Sequence, residues 1–362
     1  MSSLLDNHPS VASTPDCVLM GFYEFWTDFG DLPSNELIDT FVDQFATLFI
    51  GSKPSKVHRS ANCYGDAVGF NTLGEARDQT LSADIGVFRN SMLEMLPDNA
   101  TVTRRLFFQT LHVAYANAIG HRLETGAIIS FGLHTTPRHA ATAFADDFPD
   151  CRFLHMARDP IQTLGSQFRA HVEAVRLGLR TYDPTVPSDV TLTRFFSGKP
   201  ALEWVKFQSR VVRLEDLHRQ PKKTMMAVCG WLGIPWDDSL MQSTMNGLKY
   251  WNDNTSAHQV SGFSEAIVSQ RHEAYITRFD RFRYTLIFSP RFSRMDYFDG
   301  SPLMRQFPIF LFLSPLILLP FRTERIMFRG APLMKCVKNY VSMRLRICQY
   351  ILKPHDIVPM IF

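Results

Sequence analysis

The sequence predicts an α/β fold in which a central parallel sheet is flanked by helices, followed by a mainly helical C-terminal extension. Two successive strand–helix units in the middle of the chain predict the parallel sheet. A composition of 45% hydrophobic and 20% charged residues is that of an ordinary globular chain. With 362 residues, the chain is long enough for one large domain or two modest ones.

Amphipathic helices dominate the first third of the chain. Apolar residues recur at three- and four-residue spacing in Glu36–Phe49, Leu81–Leu96 and Val102–Gly120. This spacing places the apolar side chains on one face of each helix. The 30 phenylalanines of the chain are an unusually high number, and they require an explanation.

Strands alternate with helices in the middle of the chain. The β-branched run Ala127–Leu133 predicts a strand, and Pro137–Phe148 predicts the helix that follows it. The pattern repeats at once, with a strand at Arg152–Ala157 and a helix at Ile161–Arg176.

A third strand–helix pair follows these two. It consists of a strand at Arg210–Leu217 and a helix at Lys222–Trp231, which Gly233 and Pro235 bring to an end. We therefore expect an α/β domain over residues 1–300 and a distinct C-terminal segment over residues 301–362.

The C-terminal segment is both apolar and basic. It contains nine Lys and Arg but two acidic residues, and its uncharged run Phe307–Phe321 is interrupted by three prolines. Because a helix that spans a bilayer needs about 20 apolar residues, we expect peripheral membrane contact through residues 303–353 rather than a full crossing. The alternative is a hairpin that packs on the α/β domain.

Several classes of site have no support in the sequence. The six cysteines form no CxxC pair and have no histidine at metal-ligand spacing, so we expect free thiols and no metal. A kinase or nucleotide hydrolase would need a GxxxxGK(S/T) motif, which the sequence lacks. The basic residues near the C-terminus are mixed with long aliphatic runs, which favours a lipid surface over nucleic acid.

One strand–helix junction carries the residues of an anion site. Arg158 directly follows the strand Arg152–Ala157, at the sheet edge where open α/β folds bind ligands. Ser166 lies two helical turns further on and can face the same crevice. A guanidinium and a hydroxyl together can hold a phosphate group. The alternative is an arginine at a helix start and a serine packed on the sheet.

Three segments resemble the sulfotransferase superfamily. They are "ARDPIQTLGS", "VVRLEDLHRQPKKTMMAVCGWLGIPW" and the preceding loop and helix "FGLHTTPRHAATAFADDFPDC". The resemblance implies a three-layer P-loop-like fold and transfer of a sulfuryl group from 3′-phosphoadenosine-5′-phosphosulfate to a hydroxyl or amine acceptor. It also implies that Arg158 and Ser166 hold the 3′-phosphate of this co-substrate.

The same resemblance assigns the general base to His134. An imidazole that titrates near neutrality can take the proton of an acceptor hydroxyl as that hydroxyl attacks sulfur. His139 is a weaker candidate for the base, and Lys249 or Trp251 is a candidate for contact with phosphate or adenine. We expect a small-molecule, lipid or carbohydrate acceptor; the Phe and Leu content of the first third favours an apolar one.

One family segment has no counterpart here. Relatives begin with a strand and a glycine/serine-rich loop that binds the 5′-phosphosulfate at a helix N-terminus, whereas "MSSLLDNHPSVASTP" resembles the helix, His-Pro turn and extended stretch after that loop. We therefore expect the first strand and phosphate loop to be missing, and "LFIGSKPSKVHRS" is the one substitute, with Gly51, Ser52 and Lys53.

Two interpretations of this difference stay open. The chain is either an enzyme whose natural start lies upstream, or a non-catalytic membrane-surface adaptor that retains the fold. We expect a cytoplasmic location with membrane contact, or alternatively a Golgi-type membrane. In the second case, Asn99 and Asn254 would be possible sites of N-glycosylation, because each begins an Asn-x-Ser/Thr sequon.

Overall fold

The computed structural model describes residues 1–15, 18–56, 69–97, 102–132, 138–176, 208–252, 260–269, 274–298, 316, 318–328, 332–352 and 360–361. The chain forms two compact units. Unit 1 comprises Met1–Cys151 and Leu217–Ser264, and unit 2 comprises Arg152–Asp216 and Glu265–Phe362. The division into residues 1–300 and 301–362 stays a prediction about the sequence.

Helices make up most of the regular structure among the described residues. The helices are α1 (Ser2–Leu5), α2 (Phe22–Phe29), α3 (Ser34–Gln44), α4 (Ala46–Phe49), α5 (Ile85–Met95), α6 (Arg104–Ala118), α7 (Arg138–Asp147), α8 (Pro160–Arg176), α9 (Leu214–Arg219), α10 (Pro221–Leu232), α11 (Glu265–Val268), α12 (Arg278–Phe292), α13 (Arg322–Phe328) and α14 (Leu333–Leu352). The strands are β1 (Val11–Ser13), β2 (Ile128–Ser130), β3 (Arg152–Ala157), β4 (Gln208–Arg213), β5 (Thr244–Met245) and β6 (Leu248–Lys249).

The longer strands pair in parallel. In unit 1, β1 pairs with β2, and in unit 2, β3 pairs with β4 over six residues each, from Arg152 opposite Gln208 to Ala157 opposite Arg213. The short strands β5 and β6 are antiparallel. The predicted α/β class, with parallel strands flanked by helices, is confirmed, and among the described residues these strands form two parallel pairs. The predicted helical character of the C-terminal extension is confirmed for α13 and α14.

Capping residues explain why two helices begin later than their apolar periodicity predicts. The Asp84 carboxylate accepts a hydrogen bond from Val87 N at 2.9 Å, and α5 therefore begins after Asp84 rather than at Leu81. The Thr103 hydroxyl accepts one from Leu106 N at 3.2 Å, and it caps α6 in the same way. A cap satisfies an amide that the first helical turn leaves without a partner.

The third predicted strand is wrong in its second half. The prediction extends the strand over Arg210–Leu217, but β4 ends at Arg213 and the next residue begins α9. The guanidinium of Arg213 forms two hydrogen bonds to the carboxylate of Asp216, at 2.6 and 2.7 Å, and this three-residue spacing suits a helix. Glu215 and Asp216 lie in the first turn of α9, where their negative charges are stabilised by the positive end of the helix dipole.

Buried aromatic side chains fill the core of unit 1. Phe25, Phe41, Phe45 and Phe107 are at most 1% exposed. The rings of Phe41 and Phe45 stack with centroids 4.6 Å apart, and Phe25 and Phe107 meet Phe41 edge-on at 5.6 and 5.7 Å. Such contacts are worth about 0.5–1.5 kcal/mol beyond the burial of their area. Among the described residues of unit 1, these phenylalanines therefore serve core packing, and the expected apolar acceptor stays a prediction.

The buried imidazole of His112 predicts a pH dependence of stability. Burial lowers the pKa of His112 from 6.5 to about 4, and its Nδ1 lies 2.7 Å from the carbonyl oxygen of Phe108. The unfolded chain therefore binds a proton that the folded chain excludes between these pH values. We expect the free energy of unfolding to fall by about 3 kcal/mol as the pH drops from 6.5 to 4 through this group.

The variant His112→Leu isolates this contribution. Urea unfolding of both proteins at several pH values gives a difference curve from which other titrating groups cancel. The loss of stability in acid should be smaller in His112→Leu than in the wild type by about 3 kcal/mol. Equal slopes in the two proteins would show that folding leaves the pKa of His112 unchanged.

The C-terminal helix α14 packs into the core of unit 2. Met343, Ile347 and Tyr350 are at most 3% exposed and belong to the same core cluster as Leu164 of α8 and Phe288 of α12. One face of α14 is therefore buried in the core of unit 2, and the membrane contact expected for residues 303–353 stays a prediction. Among the described residues, no helix combines the length and the apolar character needed to cross a membrane.

Candidate functional site

The candidate site lies in unit 2, at the carboxyl ends of β3 and β4. Arg158 follows the last residue of β3, and α8 begins two residues later at Pro160. Both boundaries of β3 are those that the sequence predicts. Because β3 and β4 are parallel, the residues after Ala157 and after Arg213 meet at one edge.

Asp159 fixes the start of α8. Its carboxylate accepts hydrogen bonds from Ile161 N at 2.7 Å and from Gln162 N at 3.1 Å. Its carbonyl oxygen accepts the amide of Thr163 at 2.9 Å. Burial raises the pKa of Asp159 above its usual value, although these two amide bonds act in the opposite direction. The cap holds Arg158 at the junction between strand and helix.

Glu215, in the first turn of α9 after β4, connects this junction to the segment that follows α12. Its Oε1 accepts the backbone amide of Asp159 at 2.9 Å, and its Oε2 accepts the hydroxyl of Tyr297 at 2.7 Å. Glu215 is 7% exposed. Burial and the adjacent carboxylate raise the pKa of Tyr297, which therefore stays protonated and donates to Glu215.

The guanidinium of Arg158 forms one hydrogen bond through Nη2, and its buried Nε donor has no hydrogen bond to the described residues. The Nη2 atom donates to the carbonyl oxygen of Ile267 at 3.1 Å. Burial lowers the pKa of Arg158, while Glu215 and Asp159 raise it and the charge of Arg169 lowers it further. A guanidinium stays protonated under such shifts. The positive charges of Arg158 and Arg169 therefore repel each other at this junction.

Ser166 lies on α8 in a half-buried position, two turns after the start of the helix. Gln162, Ser166 and Arg169 are spaced by four and three residues and therefore share one face of the helix. The Oε1 atom of Gln162 is buried and has no partner among the described residues. The strand–helix junction thus offers a guanidinium and a hydroxyl, two donors that suit an oxyanion, whereas the unpartnered Oε1 of Gln162 is an acceptor.

The predicted general base falls outside this description. His134 lies outside the described residues, and its assignment as the base stays a prediction. His139 lies in α7. The Arg158 and Ser166 assignments also stay predictions of function, although the structure gives both residues a place in one strand–helix unit.

Lys249 and Trp251 have local structural contacts in unit 1. The ammonium group of Lys249 lies 2.7 Å from the Glu75 carboxylate and 4.4 Å from the centroid of the Trp251 ring. Trp251 Nε1 donates to the carbonyl oxygen of Gly74 at 2.7 Å. Both side chains thus have partners within unit 1, and their contact with phosphate or adenine stays a prediction.

The substitute phosphate loop is also explained by packing. The amide of Gly51 donates to the carbonyl oxygen of Leu81 at 2.9 Å, and the amide of Lys53 donates to that of Ile50 at 2.8 Å. A Cβ atom at Gly51 would lie 3.0 Å from the Leu81 side chain and 3.1 Å from that of Phe70. A side chain at Gly51 would therefore crowd Leu81 and Phe70, and the amides of Gly51 and Lys53 are engaged within the fold.

Sequence reasoning missed three residues of the junction. It identified the acidic turn that contains Glu215 as a motif but gave it no role, and it did not single out Arg169 or Gln162. The helical spacing from Ser166 could have indicated Arg169 and Gln162. Within the described ranges, no group of three or more His, Cys, Asp or Glu side chains could hold a metal ion.

Three comparisons relate the chain to known proteins. A family model described as "Sulfotransferase family" matches residues 55–238, which is just over half of the chain and includes Arg158, Ser166 and Glu215. Among solved structures, the chain is similar to the "Sulfotransferase Domain from the Curacin Biosynthetic Pathway". That similarity has 14% identity and a TM-score of 0.37, and it covers 76% of this chain and 84% of the other. The comparison with curated proteins gives no match.

Proposed function

The chain belongs to the sulfotransferase family, and from this premise we propose that it transfers a sulfuryl group from 3′-phosphoadenosine-5′-phosphosulfate to a hydroxyl or amine acceptor. Arg158 and Ser166 hold the 3′-phosphate of the co-substrate in this proposal. His134 is the general base. The acceptor is a small molecule, a lipid or a carbohydrate.

The proposed reaction assigns one task to each residue. The acceptor oxygen or nitrogen attacks sulfur, and the imidazole of His134 takes its proton. The bond between sulfur and the bridging oxygen of the 5′-phosphate breaks, and adenosine 3′,5′-bisphosphate leaves. Transfer of this kind depends mainly on positioning and on stabilisation of charge. Arg158 contributes by fixing the nucleotide at its 3′-phosphate.

The observation that carries this proposal is the buried Nε of Arg158 at the carboxyl end of β3, which has no hydrogen-bond partner among the described residues. A buried donor without a partner is costly, at about 1–3 kcal/mol, and a phosphate oxygen would satisfy it. The nearby charge of Arg169 adds a second positive group. The hydrogen bond to Ile267 leaves the guanidinium oriented rather than free to turn.

Titration of the full chain with adenosine 3′,5′-bisphosphate tests the nucleotide site. Because a charge-assisted contact with phosphate contributes about 1.5–3 kcal/mol, we expect Arg158→Ala to weaken binding by about 10- to 150-fold. Arg158→Lys should retain part of the affinity, because it keeps the charge but loses the planar donors. Isothermal calorimetry gives these affinities directly.

Arg210→Ala is the matched control for the loss of an arginine. Arg210 is half-buried near the start of β4, and its guanidinium donates to the carbonyl oxygen of Ser209. Its replacement should leave the nucleotide affinity within about twofold of the wild type. Unchanged affinity in Arg158→Ala would refute the assigned site. Absence of binding to the wild-type chain would favour the non-catalytic adaptor instead.

A further inference from the structure

The outer face of α14 carries an exposed row of apolar side chains. Met334, Val337, Val341 and Leu345 are 81%, 50%, 49% and 59% exposed. Their spacing of three, four and four residues places them on one face of the helix. We refer to these four residues as the α14 stripe. Core packing does not account for the stripe, because the core-facing residues of α14 lie on its opposite face.

Basic side chains flank the α14 stripe on one side. Lys335 and Lys338 are exposed, and Arg346 follows them along the same flank at helical spacing. The sequence of α14 contains four Lys and Arg residues and no acidic residue. Arg344 is paired with Glu324 inside unit 2, so Lys335 and Lys338 supply the exposed positive charge of the helix, and Arg346 is half-buried.

The opposite face anchors α14 in unit 2. The Arg344 guanidinium binds the Glu324 carboxylate at 2.6 Å, and the hydroxyl of Tyr340 donates to the carbonyl oxygen of Leu318. Leu318 and Leu319 are themselves 57% and 49% exposed. Because the inner face of α14 is held by these contacts, the α14 stripe lies on the outer side of an already folded helix. Contact with a partner therefore does not require the helix to form first.

We propose that the α14 stripe and its lysine flank dock the folded chain on an anionic lipid surface. Apolar side chains next to lysines suit the boundary between acyl chains and negatively charged headgroups. An acidic protein surface would pair with the lysines but would leave the four apolar side chains without apolar partners. A second copy of the chain would bring the same positive charges together, which opposes association.

Sedimentation of the full chain with vesicles tests the proposal. We expect binding to vesicles of phosphatidylcholine with about 30% phosphatidylserine to exceed binding to phosphatidylcholine alone, and to weaken as salt rises. The double variant Lys335→Gln, Lys338→Gln should bind the anionic vesicles about 25-fold more weakly. The double variant Val341→Ser, Leu345→Ser should bind at least about tenfold more weakly.

Matched control variants remove similar groups from unit 1. Val87 and Leu93 of α5 are 40% and 43% exposed, and their replacement by serine removes the same two side chains from unit 1. Lys53→Gln with Lys222→Gln removes two lysines from unit 1 in the same way. Both control variants should bind the vesicles as the wild type does.

Three results would overturn the proposal. The first is equal sedimentation with anionic and neutral vesicles, and the second is wild-type binding by both α14 variants. The third is a wild-type chain that does not bind vesicles but forms a dimer in analytical ultracentrifugation, where the double variant Val341→Ser, Leu345→Ser is monomeric. This result would assign the α14 stripe to contact with a second copy of the chain. Because the substituted side chains are exposed, we expect each variant to unfold in urea as the wild type does. Urea unfolding therefore distinguishes a loss of vesicle binding from a loss of folded structure.

Discussion

Replacement of Glu215 by alanine is expected to lower the free energy of unfolding by about 3–5 kcal/mol, since hydrogen bonds to a charged acceptor contribute about 1.5–3 kcal/mol each. The variant loses the acceptor of the Asp159 amide and that of the Tyr297 hydroxyl. Both donors then lie at the edge of β3 and β4 without this partner. We also expect the affinity for adenosine 3′,5′-bisphosphate to fall by about tenfold or more, because the junction that orients Arg158 loosens.

Two further variants test whether the effect of Glu215 depends on the hydrogen bonds that it accepts at this junction. Glu215→Gln keeps an acceptor for the Asp159 amide, and we expect it to recover a large part of both losses. Glu265→Ala removes an exposed glutamate from the same unit and should change neither quantity measurably. Urea unfolding and nucleotide titration give the two readouts. A Glu215→Ala protein with wild-type stability and affinity would show that the contacts of Glu215 do not hold the junction.

The sequence predicted the local structure of the junction well because its signals are local. The apolar run Arg152–Ala157 is followed at once by Asp159 and Pro160, which cap and start a helix. The end of α10 was equally clear, because Gly233 adopts the left-handed conformation with φ of 77°. In each case, the residues that determine the boundary lie within a few positions of it.

The contacts that complete the junction could not be predicted from the sequence. Glu215 accepts hydrogen bonds from residues 56 positions before it and 82 positions after it. The choice between strand and helix after Arg213 depended on its pairing with Asp216, which an apolar pattern does not encode. The buried Nε of Arg158 likewise depends on how β3, β4 and the segment around Ile267 pack. Tertiary packing decides the contacts of Glu215 and the burial of the Arg158 Nε, whereas the Arg213–Asp216 pair is a local contact between polar side chains.

A buried ion pair in unit 2 predicts the second large effect. Glu324 accepts two hydrogen bonds from Arg344, at 2.9 and 2.6 Å, and the two side chains are 1% and 8% exposed. Its Oε2 also accepts the amide of Phe321 at 2.8 Å. We expect Glu324→Gln to lower the free energy of unfolding by about 3–5 kcal/mol, because a buried guanidinium then lacks its countercharge.

Removal of both charges distinguishes this mechanism from simple loss of contacts. The double variant Glu324→Gln, Arg344→Met leaves no buried charge at this position, and we expect it to be more stable than Glu324→Gln alone by at least about 2 kcal/mol. Arg344→Met alone leaves the carboxylate buried and should be destabilised to a similar degree as Glu324→Gln. Urea unfolding of the four proteins completes a double-mutant cycle. Additive effects of the two substitutions would mean that water, rather than Arg344, compensates the charge of Glu324.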